Sequence, residues 1–559
     1  MRFSILRLTA FLVFSILALP LFSQGDNVLS IEHADNAFGM KGANGESVQK
    51  LIGHVRIRHM GTLMLCDSAY KYSTGMLIAF HNIKIIRDAV TLYGDRLTYD
   101  GNQKQGVVTG KEVRMVDDST VLVTTAINFN TQYNWAQYST GGTITSPDGN
   151  LVSQYGSYFK DDKKAVFKGK VVIVSGDRVI KTDSIMYLTD SKTVVFIAPA
   201  VVTTPKEQLT FNRGRYNRVT GLMQAFGDAN LLDEHHREVL ADTINYYKEK
   251  EQAFLYGNVQ VADSARKNFI LGDYGYFNKT PQEILVSKKP VMVSVSGEND
   301  TIFVKADTLK SLLTYGEKGD TIHNVIAFHN VRSFGKDFQS SCDSMFVSGK
   351  DSTVTMFQDP ILWSDSTQIT STTIKFFSHN KKMVKAEFIN EPFIAQQVDS
   401  SNFNQLKGKN MTAYFTDNKI TRLDAIGNGQ TVYYMVDKDT VVAVNICESQ
   451  NLSLYFANSR IRQITFRAKP ESRILPIDKL DKSDAQLKGF AWKDSLRPKS
   501  RNDITLRHIR LVGEKMAVSP EVIPAAQPVI KPAAEAKKPE TLRELRRERR
   551  RKEKGKLKK

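Results

Sequence analysis

The sequence predicts an all-β fold: an elongated, repetitive solenoid with two facing sheets, built from about 13 two-stranded units. Three observations lead to this prediction. A short sequence motif recurs about every 30 positions, which is typical of repeat architectures. Apolar residues alternate with polar ones inside each copy, the period of a strand with one buried face. Val, Ile, Thr, Tyr and Phe fill the alternating runs, whereas Asn, Asp, Gly and Lys collect at the turns.

Each copy of the motif begins with an acidic residue, followed by alternating apolar positions that end in an aromatic residue. A turn comes next. Gly-Asn or Gly-Lys and a run of Val and Ile complete the copy. In the clearest copy Asp242 and Tyr246 precede the turn, and Gly257, Asn258 and Val259 follow it. A single unit cannot bury its own apolar face, so stacked neighbours must share one core. The acidic positions are Asp67, Asp95, Asp183, Asp242, Asp273, Asp307 and Asp343, with looser copies near Ala126, Tyr155, Asn212, Thr372, Asn410 and Gln450.

The chain divides into five parts. The N-terminus reads as a secretory signal, with Arg2 and Arg7 ahead of a short apolar run, although an uncleaved anchor is an alternative. Phe490 and Trp492, in a polar stretch near the end, indicate a segment that folds back on the last rung. The parts are a signal peptide (1–24), regular repeats (25–300), divergent repeats (301–470), a C-terminal cap or docking segment (471–512), and a Pro/Ala linker with a basic charged tail (513–559).

The formal charge of +18 is unevenly distributed. Residues 537–559 contain thirteen Lys/Arg and four Glu, a balance of +9, so half of the excess lies in the tail. For an exported chain we expect an anionic envelope partner for this tail, such as lipid headgroups or an acidic protein, and no nucleic acid. A merely solubilising tail is the alternative.

The residues predict no enzyme, cofactor or metal. The acids recur once per unit, which suits a structural ladder at a turn. The His235-His236 pair lies among acidic residues in a polar stretch, where a solvated turn is favoured over a metal site. The sequence has no phosphate-binding loop, nucleophile elbow or dinucleotide fingerprint. A polysaccharide-cleaving solenoid is the enzymatic alternative, and it would require two acids facing each other across a cleft.

The repeated residues resemble the OstA-like/LptA superfamily over roughly residues 30–505. Residues 487–498 resemble the longer OstA-like proteins in particular. The copies that carry the resemblance best are Gly257-Asn258-Val259-Gln260-Val261, Gly94-Asp95-Arg96-Leu97-Thr98-Tyr99 and Ala79-Phe80-His81-Asn82-Ile83.

The resemblance implies a periplasmic β-jellyroll, open along one side, that carries lipopolysaccharide or a related glycolipid toward the outer membrane. Its acyl chains would lie in an apolar groove, and the protein would stack end to end with other lipopolysaccharide-transport proteins through their sheets. We expect the Val/Ile pairs after each turn to line the groove. These candidates are Val55, Ile57, Ile83, Ile85, Val113, Met115, Val171, Ile173, Val259 and Val261.

The groove hypothesis makes a prediction that separates it from its main alternative. Replacing Val259 by Asp should block lipid crosslinking while secretion continues. The alternative is a structural β-solenoid of the cell envelope, with a filled core and no bound lipid.

Overall fold

The computed structural model describes residues 28–509, apart from 235–236, 264–266, 298–299, 317–320, 381, 439, 458–459 and 482–483. These residues form one antiparallel sheet of 42 strands. They also contain four 3₁₀ helices and no α-helix: Lys248–Lys250, Ile477–Lys479, Asp494–Leu496 and Arg501–Asp503. The predicted all-β repeat fold is confirmed.

The strands fall into three sections. The N-terminal section contains β1 (Ser30–His33), β2 (Asn36–Lys41), β3 (Ser47–His59), β4 (Thr62–Tyr72), β5 (Met76–Arg87), β6 (Val90–Asp100), β7 (Gln105–Asp117), β8 (Thr120–Asn130), β9 (Trp135–Tyr138), β10 (Gly142–Ser146), β11 (Gly149–Ser153) and β12 (Tyr155–Phe159). The middle section contains β13 (Lys164–Ser175), β14 (Arg178–Leu188), β15 (Thr193–Phe196), β16 (Ala200–Thr203), β17 (Glu207–Phe211), β18 (Arg213–Asn217), β19 (Leu222–Asp233), β20 (Arg237–Tyr247), β21 (Gln252–Asp263), β22 (Asn268–Asn278), β23 (Glu283–Ser287) and β24 (Val291–Gly297).

The C-terminal section contains β25 (Asp300–Lys305), β26 (Thr308–Tyr315), β27 (Thr321–Phe328), β28 (Val331–Phe334), β29 (Gln339–Cys342), β30 (Ser344–Ser348), β31 (Thr353–Phe357), β32 (Ile361–Ser364), β33 (Thr367–Thr370), β34 (Thr373–His379), β35 (Lys382–Ile389), β36 (Phe393–Gln397), β37 (Phe403–Lys407), β38 (Asn410–Thr416), β39 (Lys419–Asp437), β40 (Thr440–Ala457), β41 (Arg460–Arg467) and β42 (Glu471–Pro476).

Each long strand bends once near its centre. In β5 the pairing with β6 slips between Phe80 and Ile83, and this bulge folds the sheet along a corner. Layer A is the side of the corner that contains Phe80, and layer B is the side that contains Ile83. Fourteen of the 42 strands cross the corner unbroken and the other 28 form 14 interrupted pairs, so the described residues hold 28 rungs. A two-stranded unit with one strand in each sheet would supply one rung. Each repeat instead supplies two rungs.

The repeated acids stand at this corner and bind the neighbouring rung. Asn82 donates its side-chain amide to Asp67 at 2.8 Å, and Asn258 donates to Asp242 at 2.9 Å. Gly257 and Asn258 both have left-handed backbones (φ 70° and 45°), which glycine and asparagine adopt at low cost. The structural interpretation of the acids is confirmed, and the corner explains why Gly-Asn recurs.

The divergent repeats keep both layers but lose continuous strands. Between residues 300 and 416 every described rung is interrupted at the corner. Pro360 and Pro392 directly precede β32 and β36, the layer-B strands of two of these rungs. Proline has no N–H to continue the ladder, so the strand must stop there.

Every second residue from the corner points between the two layers. In layer B of β3 these residues are Val55 at the corner position, Ile57 at the middle position and His59 at the tip beside the hairpin turn. In layer A of β6 they include Leu97 and Tyr99, and all five are at most 1% exposed. Opposite the corner, the tips of the two layers face each other along an edge that we call the mouth.

Residues 484–509 run back along the outer face of layer B, and we call this segment the strap. Gln405 binds its backbone twice: the side-chain amide donates to the Ala485 carbonyl, and the Leu487 N–H donates to the side-chain oxygen, both at 2.9 Å. The Trp492 ring packs against Phe403, with centroids 5.0 Å apart. The strap is therefore held by backbone hydrogen bonds as well as by apolar contacts.

The strap reaches far beyond the last rung. Ile504 packs against Leu271 in β22 and Val291 in β24. Arg507 forms an ion pair with Asp273 at 2.6 Å. The sequence indicated docking at the last rung, and the structure extends that contact along layer B from β40 back to β22.

Candidate functional site

Two cavities lie between the layers in the middle section, beside the mouth. The larger has a volume of about 80 Å³, and the smaller, of about 30 Å³, shares Glu207, Leu231 and Phe277 with it. The two are neighbouring parts of one groove. The apolar side chains that line the larger cavity are Ile180, Val202, Leu209 and Leu231 from layer B and Phe196, Tyr216, Met223, Ile244, Tyr246 and Phe277 from layer A.

The same space is filled and sealed in the N-terminal section. Tyr99 stacks on Phe129, with ring centroids 6.0 Å apart. The Tyr99 hydroxyl lies 2.7 Å from His59 Nδ1 and 3.1 Å from Thr131 Oγ1. Burial raises the pKa of Tyr99, so the phenol stays protonated at neutral pH. A buried polar network therefore closes the mouth here.

Among the described residues, three pairs of a lysine or arginine with an acid cross the mouth. In each pair the cation belongs to a layer-A turn, two residues beyond an inward aromatic. The acid lies at a layer-B tip, either in the turn or, for Glu207, in the first residue of the strand after it. The side chains are partly exposed, so each pair holds the mouth only weakly. The pairs are Lys160–Asp88 (2.5 Å), Arg218–Asp148, and Lys279–Glu207 (3.8 Å).

Two further cations border the larger cavity. Lys248 occupies the layer-A tip two residues beyond Tyr246, and Arg178 occupies the layer-B tip two residues from Ile180. The Arg178 guanidinium lies over the Tyr216 ring, 5.8 Å from its centroid. Among the described residues, neither cation forms an ion pair. At these two tips the groove thus carries positive charge that no ion pair among the described residues neutralises.

The ten residues predicted to line the groove all belong to layer B, but none borders either cavity. At the corner positions Val55, Ile83, Val113, Val171 and Val259 are at most 2% exposed. At the middle positions Ile57, Ile85 and Val261 are at most 7% exposed, whereas Met115 and Ile173 are half-buried. The structure gives them the packing of a core, and their role in a groove stays a prediction.

The residues that do line the cavities were missed, although they follow the same alternation. Leu209 and Leu231 are two residues from the corner positions Phe211 and Ala229 in layer B. Tyr246 ends the clearest copy of the repeat. Taking every second residue from each corner would have identified them as inward-facing. The alternation is the same in every section, so it does not indicate that the cavities lie in the middle one.

Other features of the described residues bear on the earlier predictions. Cys66, Cys342 and Cys447 are buried and unbonded, and burial raises the pKa of the Cys66 and Cys342 thiols to about 12 each. In the part of the chain that the structure describes, no group of three or more His, Cys, Asp and Glu residues is placed to hold a metal. None of its helices has the length and hydropathy of a membrane span. The predicted signal peptide, the His235-His236 turn, the linker and the basic tail lie outside the described residues.

Two stretches of the chain match known protein families. Residues 26–183 match the OstA-like protein family, and residues 152–274 match the family described as LptA/(LptD N-terminal domain) LPS transport protein. No curated protein matches the chain.

Two solved structures resemble parts of the chain, both with low TM-scores. LptH of Pseudomonas aeruginosa is the LptA-homologous periplasmic component of the lipopolysaccharide transport device. It is 12% identical over 25% of this chain and 95% of its own, with a TM-score of 0.20. The WD40 domain of SCAP from fission yeast is 9% identical over 60% of this chain and 85% of its own, with a TM-score of 0.11.

The family matches overlap and together cover the N-terminal section and most of the middle section, including most of the groove. Both families are named for envelope components rather than for enzymes. Residues 26–274, somewhat less than half of the chain, thus carry OstA-like and LptA-like domains.

Proposed function

We propose that this protein is a periplasmic lipid-binding scaffold that carries lipopolysaccharide toward the outer membrane, with acyl chains between layers A and B. The observation that carries the proposal is the apolar cavity of about 80 Å³ at the mouth of the middle section. An apolar groove stabilises an acyl chain by about 0.8 kcal/mol for each methylene group that it buries.

The resting cavity is smaller than an acyl chain requires. Its volume of about 80 Å³ corresponds to about five water molecules. The mouth beside it is crossed by the Lys279–Glu207 pair at 3.8 Å, and both side chains are about one-third exposed. Such a pair is weak, so the layers can part at this point at little cost. Acyl chains would enter as the mouth widens.

Both ends of the sheet offer edges for stacking. Within the described residues β1 and β2 pair only with β3, and β41 and β42 pair only with β40. Unpaired strand edges present N–H and C=O groups to another chain. We propose that other lipopolysaccharide-transport proteins add to these edges and extend the groove. The predicted signal peptide would deliver the chain to the periplasm, and the basic tail would bind an anionic envelope partner.

A structural role is the second candidate. The N-terminal section favours it, because Val55, Ile57 and Tyr99 are at most 1% exposed and leave no room for a ligand. In this alternative the cavity of the middle section would be a packing defect and not a binding site.

Photocrosslinking in cells would test the proposal. A photoreactive residue at Leu209 faces the cavity, whereas the same residue at Thr210 faces outward from the same strand. We expect lipopolysaccharide adducts at position 209 and none at position 210. Equal adducts at both positions, or none at 209 in a secreted protein, would favour the structural role.

The substitution Val259→Asp is a poorer test than it seemed from the sequence. Val259 is 2% exposed, so an aspartate there would place an unpaired charge in the core. Loss of crosslinking in that variant would report misfolding as readily as a blocked groove. Leu209 is half-buried and avoids this ambiguity.

A further inference from the structure

The three Lys/Arg–carboxylate pairs across the mouth recur at intervals of 70 to 72 residues along the chain. From the residue numbers, Lys160 comes 72 residues after Asp88, Arg218 comes 70 after Asp148, and Lys279 comes 72 after Glu207. In rungs, each pair joins a layer-B turn to the layer-A turn about five rungs further on. The two layers are therefore staggered at these three places.

Arg178 and Lys248 stand at the corresponding two places. Lys248 comes 70 residues after Arg178, and both border the larger cavity. At this position of the series the layer-B tip contains both Asp177 and Arg178. Arg178 borders the cavity, whereas Asp177 is exposed and does not border it. Glu207 is the one acid among the residues that line the cavity, and it is already paired with Lys279. Two cations thus face a shared apolar cavity without a carboxylate between them.

We propose that Arg178 and Lys248 bind the phosphate of an anionic amphiphile whose acyl chain enters the cavity beneath them. The proposal rests on the proposed lipid-carrying function and assigns the headgroup its place. A guanidinium binds phosphate through two parallel N–H donors, and an ammonium adds a point charge. The Tyr216 ring beneath Arg178 holds the guanidinium at the rim, which reduces the entropy that is lost on binding.

The substitution Arg178→Asp provides the test, because it converts this position to the acid–lysine pair of its neighbours. The matched control is Lys181→Asp, a substitution of similar charge change on the outer face of the same strand. The full mature chain of each variant is titrated with lipid A that carries its phosphates, with lipid A stripped of them, and with inorganic phosphate. Affinity is read by native mass spectrometry, and folding is checked by thermal unfolding.

We expect Arg178→Asp to weaken binding of phosphorylated lipid A about tenfold or more, since a charge-assisted contact is replaced by repulsion. Binding of the stripped lipid and thermal stability should not fall, and Lys181→Asp should resemble the wild type. Equal affinities for phosphorylated lipid A in the two variants, or tight binding of inorganic phosphate alone, would overturn the lipid-headgroup site. If the wild type binds neither form of lipid A, the proposed function fails, and the headgroup site fails with it.

Discussion

The N-terminal and middle sections repeat the same rung, yet their mouths are closed in different ways. In the N-terminal section Tyr99, at the middle position of layer A, is 0% exposed and is hydrogen-bonded to His59 across the mouth. In the middle section Tyr246 occupies the equivalent position, is half-buried, and borders a cavity. Beside it the mouth is crossed by the partly exposed Lys279–Glu207 pair.

This difference shows that the repeat determines the fold of each rung, whereas the residues at the tips determine how the mouth is closed. The corner and its acids are the same in both sections, because the layers must fold over wherever the chain builds a rung. The tips are free to vary, since they lie beside turns at the surface. Buried polar contacts there seal the interior, and exposed ion pairs leave it able to open.

The largest effect is expected from removing the aromatic ring that seals the N-terminal section. Tyr99→Ala should lower the free energy of unfolding by about 3–5 kcal/mol, because a fully buried ring leaves a cavity. Tyr246→Ala, at the equivalent position, should cost about 1–2 kcal/mol, because its ring is only partly removed from water. Hydrogen exchange resolved by section, with urea unfolding, measures both. Similar losses in the two variants would mean that the sections are equally packed.

A smaller effect is expected from the Tyr99 hydroxyl, and it depends on pH. Tyr99→Phe leaves His59 and Thr131 without this partner and should cost about 1–3 kcal/mol at pH 8. Burial raises the pKa of Tyr99, so its contribution is complete below the ordinary tyrosine pKa of about 10 and is lost as pH rises through the raised value. The stability gap between wild type and variant should therefore narrow above about pH 10.

Thermal midpoints from pH 8 to 11 measure this gap. The other tyrosines remain in both proteins and cancel in the difference. A gap that is constant across this range would mean that the pKa of Tyr99 is the same in the folded and the unfolded chain. The folded section would then not hold the phenol in its protonated form.

Much of the fold follows from the sequence, because its determinants are local. Asp242, Gly257 and Asn258 mark the corner in the printed sequence, since an acid and two residues that tolerate left-handed backbone are needed there. Alternation with period two identifies which residues point inward. The number of rungs per repeat does not follow, because one repeat of about 30 residues fits either one flat pair of strands or two bent ones.

The site could not be found in the same way. Val259 and Leu231 are both inward residues of layer B, and alternation does not say how far apart the layers are at each. That distance depends on the packing of several rungs together. The sequence predicted that the C-terminal segment docks, but not how far along layer B it extends, for a related reason. The alternation pattern places Gln405 on the solvent side of its strand. Its hydrogen-bond partners are backbone atoms of the strap, so no side chain in the strap indicates the contact.

Removing the Lys279–Glu207 ion pair beside the groove should have the smallest effect on stability, and it tests the comparison of the two sections most directly. Lys279→Ala should change the free energy of unfolding by no more than about 1 kcal/mol. It should nevertheless raise the population of the open mouth about two- to fivefold. A cysteine introduced as Leu231→Cys reports the opening through its rate of labelling by a maleimide. The native thiols give little background, because Cys66, Cys342 and Cys447 are buried.

The matched control for this measurement is Lys163→Ala. Lys163 pairs with Asp190 at 2.7 Å, but both belong to layer-A turns, so their pair does not cross the mouth. Faster labelling in Lys279→Ala alone would mean that the pair across the mouth restrains the groove. Equal labelling in the two variants would mean that it does not. The contrast between the sections would then arise from the packing of their interiors at the middle positions and not from the tips.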